Sequence, residues 1–139
     1  MKRGVERIPR LVLDTSAYTR LRAGEERVLD LVAEAAVVLL PVTGLGELEA
    51  GFLLGGREKE NRAALAEFLE EPFVAVLDST PEVARRYGEL FAALRRAGTP
   101  VPINNVWIAA ATLDCAGHLL TFDGHFERIP ALPATVLGA

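Results

Sequence analysis

The chain has 139 residues, half of them apolar, with a net charge of −4 and a pI near 5.2. That length suits one domain around one core, no apolar run reaches the span of a bilayer, and the single Cys115 excludes an internal disulfide framework. The acidic balance argues against a protein that holds nucleic acid through bulk positive charge.

In chain order, the start MKRGVERIPR is charged and no signal-like apolar segment follows it. Residues 1–9 are expected to be an N-terminal extension of one domain spanning 1–139, in a soluble, intracellular, cytoplasmic protein. LVLD (11–14) is a short branched run ending in a carboxylate and predicts a buried parallel strand. TSAYTRLRAG predicts a polar turn and a short helix ending near Gly24. EERVLDLVAEA carries Val28, Leu31 and Val32 at helical spacing. AVVLLP is a second buried strand, stopped by Pro41, and TGLGELEAGFLLGG a glycine-weakened helix ending at Gly55 and Gly56. REKENRAALAEFLEE predicts an amphipathic helix with Leu65, Phe68 and Leu69 inward, and FVAVLD a third strand.

STPEVARRYGELFAALRRAG opens with Ser79 or Thr80 as cap and Pro81 in the first turn. Val83, Tyr87, Leu90, Phe91 and Leu94 then form one stripe, closed by Gly98. VPINNVWIAAATLDCAG is an extended piece between two prolines, then a helix ending at Gly117. HLLTFD is a fourth strand ending in a carboxylate, and ATVLG a short fifth. Strands alternating with helices imply an α/β/α sandwich on a mostly parallel sheet of four to five strands. Repeats, low-complexity segments and linkers are absent from the sequence.

Ligands of open parallel sheets lie beyond the carboxyl ends of the strands, where strand order reverses. Asp14 and Asp123 are delivered to that edge, although either could simply cap the next helix; Asp78 is expected to do only that. Glu47 has Thr43, Gly44, Ala50 and Gly51 as helical neighbours, a small face suited to packing on a sheet. A carboxylate there is costly without a cationic partner. Glu49, at another angle, is expected in water. Asn105 shares a face with Ala109 and Thr112, which lets its helix come close to the strands. Asn104 is the more natural cap, because Pro102 and Ile103 hold the chain extended before it.

Nearly all the basic residues are arginine, with Arg20, Arg22 and Arg27, Arg85 and Arg86, and Arg95 and Arg96 grouped. The guanidinium fork suits phosphate, but most of these residues are expected on solvated helix faces. His118 and His125 are taken as structural. Trp107 shares a face with Ala111 and Asp114 and is expected in the core or at a subunit contact.

The pieces LVLDTSA, GELEAG, PINNVWIAAA and LLTFDGHF, in this order and spacing, resemble a PIN-domain ribonuclease of the VapC toxin type, from residue 11 to about 137. The resemblance implies strand order 3-2-1-4-5 and an acidic site that holds Mg²⁺ or Mn²⁺ and hydrolyses RNA. It places the family's first aspartate on Asp14, its glutamate on Glu47 and its last aspartate on Asp123, with Ser16 in support; Thr121, near the site, is expected to support it through its hydroxyl. It also implies a homodimer, an RNA substrate and a small antitoxin partner; Arg20 and Arg22, near the rim, are the candidates to hold the RNA backbone.

One position departs from the family's PxNDxWIAA pattern, because Asn105 stands where the acid is expected. Hard divalent cations prefer oxygen, and clustered carboxylates repel without one. An asparagine keeps an oxygen but loses a charge and adds an NH₂, weakening the hold on a dication by about 1–3 kcal/mol. A slow enzyme, a natural binding module for antitoxin or RNA, and a deliberately silenced nuclease all suit such a residue. LVLDTS is also similar to phosphotransferases that form an aspartyl-phosphate, here on Asp14, but that leaves Glu47 and PINNVWIAA unexplained.

Overall fold

The computed structural model describes residues 8–138, so most of the extension expected over 1–9 lies outside the described residues. Strand β1 (Arg10–Leu13) lies at the centre of a five-stranded, wholly parallel sheet. It pairs on one side with β2 (Val37–Pro41) and on the other with β4 (His118–Thr121); β3 (Val74–Leu77) flanks β2 and β5 (Ala134–Val136) flanks β4. The order is therefore 3-2-1-4-5, with the reversal between β1 and β4.

The two-residue period of the strands sorts the core into two layers. Leu11, Leu13, Val38, Leu40 and Leu120 pack with the helices of one layer: α1 (Thr15–Arg22), α2 (Glu26–Glu34), α3 (Val42–Leu54) and α4 (Glu58–Leu69). Val12, Leu39 and Leu119 pack on the other face with α5 (Pro81–Arg96), α6 (Ile103–Asp114) and a short 3₁₀ helix (Gly124–Arg128). Covering both faces explains why Leu11, Val12 and Leu13 read as one unbroken apolar run; each is at most 1 % exposed. The α/β/α sandwich is thus as expected.

Several local expectations are corrected. Asp14 is not the last strand residue but the cap of α1, which starts at Thr15 without a separate turn, because its carboxylate accepts the Ala17 N–H at 2.8 Å. Asp78 is exposed and caps nothing; Thr80 takes that role, its hydroxyl accepting the Val83 N–H at 3.2 Å. Asn104 is not a cap either. Pro102 holds the position before α6, and its carbonyl accepts the N–H groups of Asn105 and Val106 at 3.0 and 3.2 Å. The helix therefore begins at Ile103, which frees both asparagine side chains for other partners.

At the far end of α6 the left-handed residue is Ala116, at φ 53°, rather than a glycine. Gly117 serves a different need: a Cβ there would lie 2.8 Å from Val12 Cγ2 and 2.9 Å from Cys115 Sγ. Trp107 stacks on Tyr87 of α5 with ring centroids 4.1 Å apart, beside buried Val83, Ala110 and Ala111. Phe91 is the outlying member of the α5 stripe, 36 % exposed.

Candidate active site

The reversal puts the ends of β1 and β4 side by side, with α1 starting from the first. Asp14 is 5 % exposed. Its Oδ1 accepts the Ser16 hydroxyl at 2.7 Å and the Ala17 N–H at 2.8 Å; its Oδ2 accepts the Thr121 hydroxyl at 2.5 Å. Burial is the main influence on this carboxyl and pushes its pKa up from 3.8; these bonds oppose the rise, and the nearby Asp123 charge adds to it.

Thr121 is fully buried and links the two aspartates, since its oxygen also accepts the Asp123 N–H at 2.9 Å. Ser16 makes a second link: its hydroxyl accepts the Phe122 N–H at 2.9 Å and lies 3.4 Å from the Thr121 hydroxyl. The two residues expected to support the site therefore tie the β1 end to the β4 end.

Asp123 Oδ1 accepts both the His125 N–H at 2.9 Å and the His125 ring Nδ1 at 2.7 Å, and its Oδ2 accepts the Asn105 amide at 2.9 Å. Burial works to raise this carboxyl, but the bonds from His125 and Asn105 prevail and hold its pKa below 3.8. His125, read as structural, is thus a direct partner of a site acid. The available signal was its place two residues after an aspartate, where an aspartate side chain commonly captures a backbone N–H.

Glu47, on α3, stands in a neighbouring group. Thr15 donates its hydroxyl to Oε1 at 2.7 Å and Asn104 its amide to Oε2 at 3.3 Å. Thr15 follows Asp14 and Asn104 precedes Asn105, so adjacent residues of two helix starts serve the two groups. Sequence reasoning passed over Thr15, whose side chain is paired only once α3 and α1 pack together. Glu49 pairs with Arg62 at 2.7 Å, away from these acids. Arg20 lies with its guanidinium carbon 4.4 Å from the Phe122 ring centroid and its Nη1 3.8 Å from Glu25 Oε2; Arg22 is exposed on the same helix. The structure thus brings Asp14, Asp123, Asn105, Ser16 and Thr121 into one connected network and leaves Glu47 in the adjoining one.

Among the described residues, no three His, Cys, Asp or Glu side chains form a group that could hold a metal ion. The donor chemistry nevertheless fits a hard divalent cation. Two interacting carboxylates supply oxygens, while the Asn105 amide presents its nitrogen to Asp123; Mg²⁺ is usually held by one or two carboxylates with several waters retained.

A parallel sheet in the order 3-2-1-4-5, a pair of acids at its reversal and helices on both faces define the class: the chain belongs to the PIN-domain family, whose model matches residues 11–132. The VapC-type resemblance also holds among relatives. Ribonuclease VapC5 of Mycobacterium tuberculosis (strain ATCC 25618 / H37Rv) is 29 % identical over 118 residues, 85 % of this chain and 86 % of the relative. The crystal structure of VapBC-5 from Mycobacterium tuberculosis, a toxin–antitoxin system, matches with a TM-score of 0.72 and 26 % identity over 94 % of this chain and 98 % of that one. VapBC2 from Rickettsia felis, solved bound to a DNA fragment from its promoter, has the same fold, with a TM-score of 0.81, 21 % identity and coverage of 92 % and 98 %.

Proposed function

We propose that this chain, as one PIN domain over 1–139, is a metal-dependent endoribonuclease and the toxin of a toxin–antitoxin pair. The observation that carries the reading is the linked pair Asp14 and Asp123 at the strand reversal of a chain whose family match covers 11–132. Asp14, Asp123, Asn105 and Glu47 would be the residues that hold Mg²⁺ or Mn²⁺. When bound, such a cation supplies an activated water and stabilises the leaving oxygen of a phosphodiester.

This chain's own residues do the rest. Ser16 and Thr121 fix the Asp14 carboxylate in one orientation, and His125 fixes that of Asp123. Arg20 and Arg22 of α1 would hold the RNA backbone beside the acids, as guanidinium forks suited to phosphate. The VapBC neighbours support a small antitoxin as protein partner. A homodimer in the cytoplasm completes the reading. No helix among the described residues is long and apolar enough to cross a membrane.

The second reading, a catalytically inactive module of the same fold that binds an antitoxin or RNA, is favoured by one observation: Asn105 gives its amide to Asp123 in place of an acid.

Cleavage of a mixed RNA pool with Mg²⁺ and then Mn²⁺ separates the two. The nuclease reading expects weak cleavage by this chain, loss with Asp14→Asn, and a gain with Asn105→Asp. Silence of all three proteins leaves the binding module.

A further inference from the structure

Both oxygens of each candidate acid accept a hydrogen bond from this chain: Asp14 from Ser16, Ala17 and Thr121; Asp123 from His125 and Asn105; Glu47 from Thr15 and Asn104. Carboxylates brought together repel unless something positive or donating stands between them. Within the network that joins β4 to α6, that element is Asn105, 8 % exposed, with its Nδ2 2.9 Å from Asp123 Oδ2. An ionised carboxylate only accepts, so the amide must present its nitrogen to Asp123. The end of the amide that faces the site acid is therefore the one that cannot bind a cation.

We propose that Asn105 is a positioning residue that takes the place of the cation in holding this site together: its amide latches α6 to the β4 end, so that the acidic site forms without metal, and a metal can use the Asn105 oxygen only after that latch turns. The role rests on the metal-site reading for its second half alone; the latch itself does not depend on it. With aspartate at this position, two carboxylates would face each other at hydrogen-bond distance and the folded site would depend on a cation to separate them.

The test is thermal unfolding of the full chain in EDTA and in excess Mn²⁺, for the parent, Asn105→Asp, and the exchange Asn105→Asp/Asp123→Asn. The exchange reverses donor and acceptor: the amide at 123 can still accept from His125 and now donates to the carboxylate at 105. In EDTA, Asn105→Asp is expected to melt roughly 3–8 °C below the parent, and the exchange to regain most of that loss. Mn²⁺ is expected to raise the melting temperature of Asn105→Asp more than that of the parent.

An Asn105→Asp protein that melts with the parent in EDTA, or an exchange that regains nothing, overturns the latch. Equal Mn²⁺ gains in parent and Asn105→Asp overturn the claim that the amide stands in for the cation. None of these outcomes depends on RNA cleavage, so they remain distinct from failure of the nuclease reading.

Discussion

At the scale of single residues, the two aspartates titrate in opposite senses. Burial raises the Asp14 carboxyl in the folded chain, so folding binds that proton more tightly, and the stability tied to it is lost as pH rises above 3.8. Asp123 is lowered, so its contribution is present above 3.8 and is lost as pH falls below that value. Asp14→Asn removes the buried charge and keeps an oxygen for Ser16 and Ala17, while its amide nitrogen must donate to the Thr121 hydroxyl oxygen in place of accepting from it. In EDTA it is expected to melt above the parent at neutral pH, with the gap narrowing as pH falls through the carboxylate range. A gap of constant size across that range would sink the argument. Thr121→Val, close in shape, leaves Asp14 Oδ2 and the Asp123 N–H without their partner. It is expected to cost about 1–3 kcal/mol in urea unfolding; a neutral result would mean that water replaces the hydroxyl.

At the scale of elements, the end of α6 carries a local strain that the rest of the fold sustains. Ala116 sits in the left-handed region at φ 53°, a conformation that glycine adopts without steric penalty. Ala116→Gly is therefore expected to stabilise by about 0.5–1 kcal/mol, read as a higher urea midpoint at unchanged slope. The neighbouring Gly117→Ala is expected to go the other way. Its Cβ would meet Val12 Cγ2 at 2.8 Å, and Val12 is fully buried in the central strand and has nowhere to move. The loss should be about 1–3 kcal/mol, and equal stability of the two variants would contradict the close approach of Gly117 to Val12 of β1.

At the scale of the whole molecule, a net charge of −4 gives RNA no bulk attraction, so binding would rest on local arginines. If Arg20 and Arg22 are the two that matter, log affinity for single-stranded RNA should fall against log salt with a slope of about −1.4. The Arg20→Ala/Arg22→Ala variant should flatten that slope, as read by fluorescence anisotropy at several salt concentrations. A steep slope unaffected by the variant would place the binding face elsewhere.

Much of this was legible in the chain because its signals are local. An unbroken run such as LVL suits a strand covered on both faces, as the alternation of strands with helices along the chain also implies, and Thr80, Pro81 and Gly98 mark the ends of α5 by backbone chemistry alone. The four spaced motifs singled out Asp14, Glu47, Asn105 and Asp123 as well. Tertiary structure decided what these side chains do, because each partner comes from a distant segment. Asn104 looked like a cap until the Pro102 carbonyl took over the helix start and left its amide to Glu47, 57 residues away in sequence. Thr121 could not be recognised as the bridge between two aspartates before β4 lay beside β1. Asn105 reads in sequence as a missing acid; in the fold it is a donor, because packing α6 against the β4 end brings its amide to an acceptor that only a donor can satisfy.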